Sequence, residues 1–355
     1  MSVDHLRETI EQRFPRLIIS GIDYNDARTA LSRIKVMADW CPEWVRLGEV
    51  HEGLGEAALR EGRTVTAGEA FRRAAIYYHT GQSVYFADAE EKYRLQQRQQ
   101  AVYRKALPHL NPPGEQIMVP FEGISFAGNL RLPARPGPAP CVLLNPGGDS
   151  TKEEFPTLED EFLKRGLATF SYDGPGQSTT WRVMKLRHDF EKPVGAVIDA
   201  LSRRPEIDAG RIGIWGRSFG GYAAPRAASF EHRLKACISI GGFYDMGEIW
   251  DRFPATVKET VQFAFAAADA AEARRRAGDC SLAGVLATMR CPFLIVHSGM
   301  DVVCPVEDSK RMQREAGGPT TLEIFPEGNH VCDNIPYKVR PLMADWMAQQ
   351  LGATR

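Results

Sequence analysis

Ser218 stands in Gly216-Arg217-Ser218-Phe219-Gly220, a G-x-S-x-G pentapeptide. The apolar run at 212–215 reads as a strand, and Gly221-Tyr222-Ala223-Ala224 reads as the start of a helix. A serine on so tight a strand-to-helix turn is presented for nucleophilic attack, and the turn has room only for flanks without side chains. The helix also aims its first N–H groups at developing negative charge. A serine hydroxyl is a weak nucleophile until a base accepts its proton, and neutral imidazole does this near neutral pH. Two later residues complete the order serine, acid, histidine. Asp301 ends Ser298-Gly299-Met300-Asp301 after the run at 293–296, and His330 ends Glu327-Gly328-Asn329-His330 after the run at 322–325. Each lies just past a strand end, where sites in open α/β sheets form. The expected roles are Ser218 as nucleophile, His330 as general base, and Asp301 as the acid that fixes the imidazole tautomer and stabilises the imidazolium. A glycine turn with a bystander serine, a loop carboxylate and a loop histidine are each common. All three in this order and context are not.

The stretch Asn145-Pro146-Gly147-Gly148-Asp149-Ser150 follows the first buried strand. Paired glycines there let backbone N–H groups approach an oxyanion, with Gly148 or Asp149 supplying one donor and Phe219 the other. Asp173-Gly174-Pro175-Gly176-Gln177-Ser178 is the turn after the next strand and is expected to shape the core beside the site. His297, at a strand end, reads as packed and not catalytic. Cys332, two residues past His330, reads as a small buried side chain.

Short apolar runs position these residues. They fall at 141–144, 167–172, 212–215, 237–240, 293–296 and 322–325, without period-2 alternation, as in strands buried on both faces. Helical stretches separate them, which implies a mostly parallel sheet with right-handed crossovers. Residues 116–132 read as a strand pair turning at Glu122-Gly123, and 133–140 as a proline-rich loop. The interval between 240 and 293 is too long for one crossover. Its helical stretch at 250–289, alanine-rich at 263–277, reads as an inserted cap. Ahead of the sheet, the pattern predicts helices at 26–40, 44–62 and 89–106. It predicts another opening on the capping box Thr66-Ala67-Gly68-Glu69. Asn111-Pro112-Pro113-Gly114 ends this region. The expected divisions are a helical N-terminal domain at 1–114, a core at 115–245 and 291–355, and a cap at 246–290.

Composition excludes several alternatives. A chain of 355 residues, 43% hydrophobic and 25% charged, is globular and not disordered. A formal net charge of -1 offers no general field for nucleic acid or an anionic membrane. Seven dispersed cysteines without a CxxC pair fit buried thiols in a reducing compartment. Met1-Ser2-Val3-Asp4-His5 shows no basic-then-apolar leader, and no apolar run approaches the ~20 residues of a membrane helix. A cytoplasmic protein is expected. HExxH, clustered His and Cys, and a strand-borne GxGxxG are lacking, so neither metal nor organic cofactor is expected.

The runs Gly147-Gly148-Asp149-Ser150-Thr151-Lys152-Glu153-Glu154, Asp173-Gly174-Pro175-Gly176-Gln177, Gly216-Arg217-Ser218-Phe219-Gly220-Gly221 and Gly328-Asn329-His330-Val331-Cys332-Asp333-Asn334 resemble the 2,6-dihydroxypseudooxynicotine hydrolase-like α/β-hydrolases. They resemble more distantly the FrsA-like and fungal yellowish-green pigment hydrolases. The helical stretch from Gly62 to Phe71, leading to Tyr77-Tyr78-His79, is similar to that group too, so the resemblance covers nearly the whole chain. It implies the same triad, a serine mechanism without metal, and N-terminal helices that help to roof the pocket. That group contains enzymes cleaving carbon–carbon bonds next to a ketone as well as esterases. It also implies an extra acidic residue after Gly241-Gly242-Phe243, for which Glu248 and Asp251 are candidates. Each of those two also reads as a surface carboxylate. Asn145-Pro146 departs from the usual apolar residues before the paired glycines.

The expectation is therefore an α/β-hydrolase fold with a helical N-terminal domain and an inserted helical cap. Its favoured activity is cleavage of an acyl group from a medium-sized aromatic or β-keto substrate. Tyr77, Tyr78, His79, Glu248 and Trp250 are the candidate substrate contacts. A carboxylesterase, a transacylase or cyclase, and a non-catalytic hydrolase-fold binding protein are the rivals. The expected partner is a small-molecule substrate, with leftover apolar helix surface available for a homodimer.

Overall fold

The computed structural model describes residues 3–353; Met1 and Ser2, part of the segment read for a leader, lie outside them. The chain divides into two units. One comprises the described residues up to Gln116 with Glu153–Thr157, the other Ile117–Lys152 with those from Leu158 on.

The first unit is helical: α1 (Val3–Ile19), α2 (Tyr24–Arg33), α3 (Met37–Arg60), α4 (Thr64–Ser83) and α5 (Ala89–Ala106). The helix expected at 26–40 is two helices. No glycine or proline marks the break; instead the Asp39 carboxylate accepts the N–H groups of Lys35 and Val36 at 2.8 and 3.0 Å and starts α3 there. The capping box expected at Thr66 is also displaced. The N–H of Ala67 already donates to Arg63 O, so α4 begins at Thr64 and Thr66 lies inside its first turn. α4 is the buried centre of the unit. Its Tyr77 packs on Trp44, which packs on Trp40, with ring centroids 6.0 and 5.9 Å apart. The five residues Glu153–Thr157 fold into this unit. Arg16 Nη2 donates to Glu154 Oε2 at 2.7 Å, Gln99 Nε2 to Glu153 Oε2 at 2.9 Å, and Thr157 Oγ1 to Ile19 O at 2.6 Å.

The second unit carries one eight-stranded sheet. Its strands are β1 (Gly114–Phe121), β2 (Ile124–Arg131), β3 (Ala139–Asn145), β4 (Ala168–Tyr172), β5 (Ile207–Arg217), β6 (Leu234–Ile240), β7 (Phe293–Ser298) and β8 (Thr320–Phe325), in the order β1-β2-β4-β3-β5-β6-β7-β8. β2 runs antiparallel to β4, and every pairing from β4 to β8 is parallel. All residues of β3 and β4 are buried, which is why their sequences do not alternate. The linking helices are α6 (Pro156–Leu163), α7 (Glu191–Leu201), α8 (Phe219–Phe230), α9 (Ala255–Phe265), α10 (Ala270–Ala277), α11 (Val306–Glu315) and α12 (Pro336–Gln350). The strand order reverses between β3 and β5, and the crevice above such a point is where ligands bind in open sheets. α9 and α10 lie between β6 and β7 in the chain and join the same apolar core through Val261, Phe265, Ala273 and Ala277, with Trp250 and Phe253 ahead of α9. This topology is the α/β-hydrolase fold.

Candidate active site

Ser218 follows β5 with φ 55° and ψ -116°, a strained conformation for a residue with a side chain. The backbone packs too closely for side chains on either flank. A Cβ at Gly216 would lie 1.9 Å from Gly220 O, and one at Gly220 would lie 2.1 Å from Asn145 O. The Ser218 N–H donates to Ile240 O, and its carbonyl accepts from Gly221 as α8 begins.

The structure brings the three sequence candidates together. His330 Nε2 lies 3.0 Å from Ser218 Oγ, and His330 Nδ1 lies 2.8 and 3.0 Å from the two Asp301 oxygens. An ionised carboxylate only accepts, so Nδ1 carries the proton and Nε2 is free to accept from Ser218. Asp301 Oδ1 also accepts the N–H groups of Val303 and Cys304, both at 2.8 Å. Burial pushes the Asp301 carboxyl upward, but the charge and hydrogen bond of His330 and the backbone donor outweigh it. The net effect lowers it below the ordinary carboxylate value. His297 is fully buried 3.8 Å from Asp301. Its Nε2–H donates to Cys304 O and its Nδ1 accepts from Ser309 Oγ. Burial lowers its basicity, so it sits neutral behind the acid. Burial also pushes the Cys332 thiol up to about 12.

The glycine-rich loop after β3 lies against Ser218. A Cβ at Gly147 would come within 3.4 Å of Ser218 Cβ, and one at Gly148 would meet Thr260 Cγ2 of α9 at 3.7 Å. Phe219 is the first residue of α8, where N–H groups lack intrahelical partners. Sequence reading missed what holds this loop. Gln177 Nε2 donates to Pro146 O at 3.0 Å and Gly147 O at 3.2 Å, while its Oε1 accepts from Gly174 N–H. Lys152 bonds Asp173 through both its backbone N–H and its ammonium. The polar residues at both ends of the Asp173-Gly174-Pro175-Gly176-Gln177 turn were the available signal.

Each candidate substrate contact has neighbours within its own unit. Tyr77 donates to Asp26, and Tyr78 donates to Glu52 under the Arg98 guanidinium. Both hydroxyls are thus taken up inside the helical unit. His79 is buried there, with Nδ1 3.3 Å from Gln82 and Nε2 3.6 Å from Glu154. Glu248 is exposed and paired with Arg311, and Asp251 is exposed and paired with Arg274. Trp250 is buried against Phe253. Among the aromatic groups of the second unit, Phe219 packs on Phe190 at 5.2 Å, Tyr222 stacks on Phe243, and Trp181 of the turn after β4 packs on Phe263 of α9 at 4.7 Å. All seven cysteines are free and buried. Among the described residues no group of three or more His, Cys, Asp or Glu forms a metal site, and no helix is long and apolar enough to cross a membrane.

The chain is similar to known hydrolases. Residues 25–249 match the family described as Esterase FrsA-like, and residues 181–354 match the prolyl oligopeptidase family. It is 34% identical to 2,6-dihydropseudooxynicotine hydrolase of Paenarthrobacter nicotinovorans, over 95% of this chain and 91% of that one. It is 34% identical to 20-hydroxy-prefusarin hydrolase FUS2 of Gibberella moniliformis over 64% of this chain, spanning 58% of that relative. The crystal structure of 2,6-dihydroxy-pseudo-oxynicotine hydrolase superposes with a TM-score of 0.89 at 33% identity, covering 95% of each chain. The solved structure of AbyA5 superposes at 0.79 with 19% identity, a likeness of fold. The family match takes in more than half of the chain, and the Paenarthrobacter relative aligns along nearly all of it. The chain belongs to the FrsA-like esterase family of α/β-hydrolase enzymes.

Proposed function

We propose that this protein is a serine-dependent hydrolase that removes an acyl group from a medium-sized aromatic or β-keto substrate by cleaving a carbon–carbon bond next to a ketone. The observation that carries the reading is the hydrogen-bonded chain from Asp301 through His330 to Ser218 on a strained strand-to-helix turn. Similarity along almost the entire Paenarthrobacter 2,6-dihydropseudooxynicotine hydrolase supports the substrate class.

Ser218 Oγ attacks the ketone carbon while His330 Nε2 takes its proton. The N–H groups of Phe219 and of Gly148 or Asp149 hold the oxyanion. The intermediate collapses by breaking the C–C bond. Its electron pair leaves as a stabilised carbanion, an enolate or electron-rich ring, and takes the proton from His330. Water, deprotonated by His330, then attacks the acyl-enzyme and releases the carboxylic acid and Ser218. Asp301 holds the imidazole in the tautomer both halves require. The approach of Thr260 to Gly148 and of Phe263 to Trp181 supports reading the insertion at 246–290 as a cap over the oxyanion loop. Seven buried free thiols support a reducing, cytoplasmic setting.

The family description favours carboxylic ester hydrolysis as a second reading. The deciding experiment offers an acyl phenone, a 1,3-diketone and aryl esters in parallel. Turnover of a ketone within about tenfold of the best ester supports C–C cleavage; esters alone being turned over selects the second reading. Ser218→Ala should lose about 10⁴-fold or more in kcat and all labelling by a fluorophosphonate. Activity at a tenth of wild type would remove the serine mechanism.

A further inference from the structure

The loop that carries His330 is strained. Val331 has φ 56° and ψ 19°, and Cys332 also has φ 56°. Two successive residues with side chains in the left-handed region, the first β-branched, persist only where the surroundings impose the conformation. Some ties are local. Asn329 and Asn334 exchange backbone-to-side-chain bonds at 2.9 and 3.2 Å, and Asn334 Nδ2 donates to Glu327 O at 2.8 Å. These close the loop on itself without locating it against Ser218.

Another tie reaches across the site. Arg217 Nη2 donates to Asp333 Oδ2 at 2.8 Å, and both residues are more than nine-tenths buried. Arg217 is the last residue of β5 and the covalent neighbour of the nucleophile. Asp333 stands three residues beyond the base and ends its turn. One ion pair thus joins the backbone beside Ser218 to the backbone beside His330.

We propose that Arg217 is a positioning residue that, through Asp333, sets the height of the His330 loop above the nucleophile turn and so holds Nε2 at 3.0 Å from Ser218 Oγ. The proposal rests on the reading of Ser218 and His330 given above. Arginine suits this role because it stays charged and its planar fork loses little freedom on forming a directed bond to a carboxylate. A misplacement of about 1 Å between base and nucleophile can cost on the order of 100-fold in rate.

The test uses full-length Arg217→Met, Arg217→Lys, Asp333→Asn and the double variant Arg217→Met/Asp333→Asn, with Ser218→Ala alongside. The readouts are the second-order rate of fluorophosphonate labelling, which does not depend on the natural substrate, and kcat and KM on an aryl ester. Asp333→Asn keeps the side-chain shape, so it reports even where an Arg217 variant folds poorly. Arg217→Met and Asp333→Asn should slow labelling and kcat by about 10- to 100-fold with KM within about threefold. Arg217→Lys should recover part of the loss, and the double variant should be no slower than the worse single, as expected of one coupled pair. Labelling and kcat within twofold of wild type in folded Asp333→Asn would overturn the proposal while leaving the triad reading intact. Labelling retained in Ser218→Ala would overturn that reading, and the proposal with it.

Discussion

Lys152 and Asp173 form an ion pair shut away from solvent, with Nζ 2.6 Å from Oδ2 and side chains 0% and 2% exposed. Lys152 ends the stretch that begins with the glycine pair at Gly147 and Gly148, and Asp173 opens the turn after β4, so the pair ties that stretch to the end of β4. Burying two charges is costly, and the attraction repays that cost only while both partners remain. Lys152→Met should destabilise the protein by about 3–5 kcal/mol in urea unfolding, because it takes the opposite charge away from a buried carboxylate. Lys152→Met with Asp173→Leu should recover most of that loss. A single variant as stable as wild type would show that the pair carries no such penalty.

Much of this arrangement was legible in the chain, and the reasons are physical. Ser218, Asp301 and His330 each sit immediately after an apolar run, and strands buried on both faces write themselves as such runs. The pairs Lys152–Asp173 and Arg217–Asp333 join residues 21 and 116 positions apart, so no local window exposes them. The break before α3 was illegible because a carboxylate at Asp39, and not a glycine or proline, makes it. Tyr77 and Tyr78 were legible as helical aromatics, but their hydroxyl partners were not, because Asp26 and Glu52 lie 51 and 26 positions away.

Asp301→Asn should leave the fold intact and remove most of the activity. The asparagine oxygen can still accept the N–H groups of Val303 and Cys304, which turns its NH₂ toward His330 Nδ1. That stabilises the tautomer protonated on Nε2, which cannot accept the serine proton. The expected loss in kcat is about 10³- to 10⁴-fold. Because the Asp301 carboxyl is depressed in the folded state, its ionised form stabilises the protein above its unfolded value of about 3.9. That contribution fades as pH falls through the lower folded value. The stability gap between wild type and variant, measured by denaturant titration, should therefore narrow below pH ~4. A gap that widens there would contradict the assignment.

Asp308 should behave in the opposite way. Burial raises its carboxyl to about 6, with Glu248 and Asp245 adding to the rise while the Tyr244 N–H and Arg311 oppose it. The folded state then holds a proton that the unfolded chain has already released, so stability falls as pH rises from ~4 to ~6 and stays lower above that. Asp308→Asn can still accept from Tyr244 N–H, a bond of 2.8 Å in the wild type, without that penalty. It should be more stable than wild type at pH 7.5, by on the order of 2–3 kcal/mol, and lose the advantage at pH 4. An advantage independent of pH would exclude the titration of Asp308 as its source.

Gln177 offers a measure of how far oxyanion-loop order matters. Gln177→Leu leaves the carbonyls of Pro146 and Gly147 without their side-chain donor and the Gly174 N–H without its acceptor, all in a buried setting. Each unsatisfied group costs about 1–3 kcal/mol, and relaxation of the loop is the way to recover it. The variant should therefore lose about tenfold or more in kcat on an aryl ester with a smaller change in KM, since donors aimed at the oxyanion act in the transition state. A rise in KM alone would place the effect on substrate binding.

The helical unit should not be a detachable module, because it folds around Glu153–Thr157, which follow the glycine-rich loop after β3. Glu154 is 1% exposed on its side chain and accepts from Arg16 Nη2 and, at 3.3 Å, from Ser20 Oγ. Glu153 accepts from Gln99, and Thr157 donates to the carbonyl that ends α1. A truncated chain beginning at Pro112 keeps Glu153 and Glu154 but deletes Arg16, Ser20, His79 and Gln99. The segment between Lys152 and Leu158 then has no fold to join, and the oxyanion loop is left attached to a loose end. Such a chain should be insoluble, or soluble and unreactive toward a fluorophosphonate. In the full-length protein, Arg16→Met takes the guanidinium away from the buried Glu154 carboxylate and should cost about 3–5 kcal/mol in denaturant unfolding. Its labelling rate should fall by more than that of Arg63→Met, whose paired Glu61 is exposed. A soluble chain from Pro112 with wild-type labelling kinetics would show that the helical unit is dispensable to the chemistry.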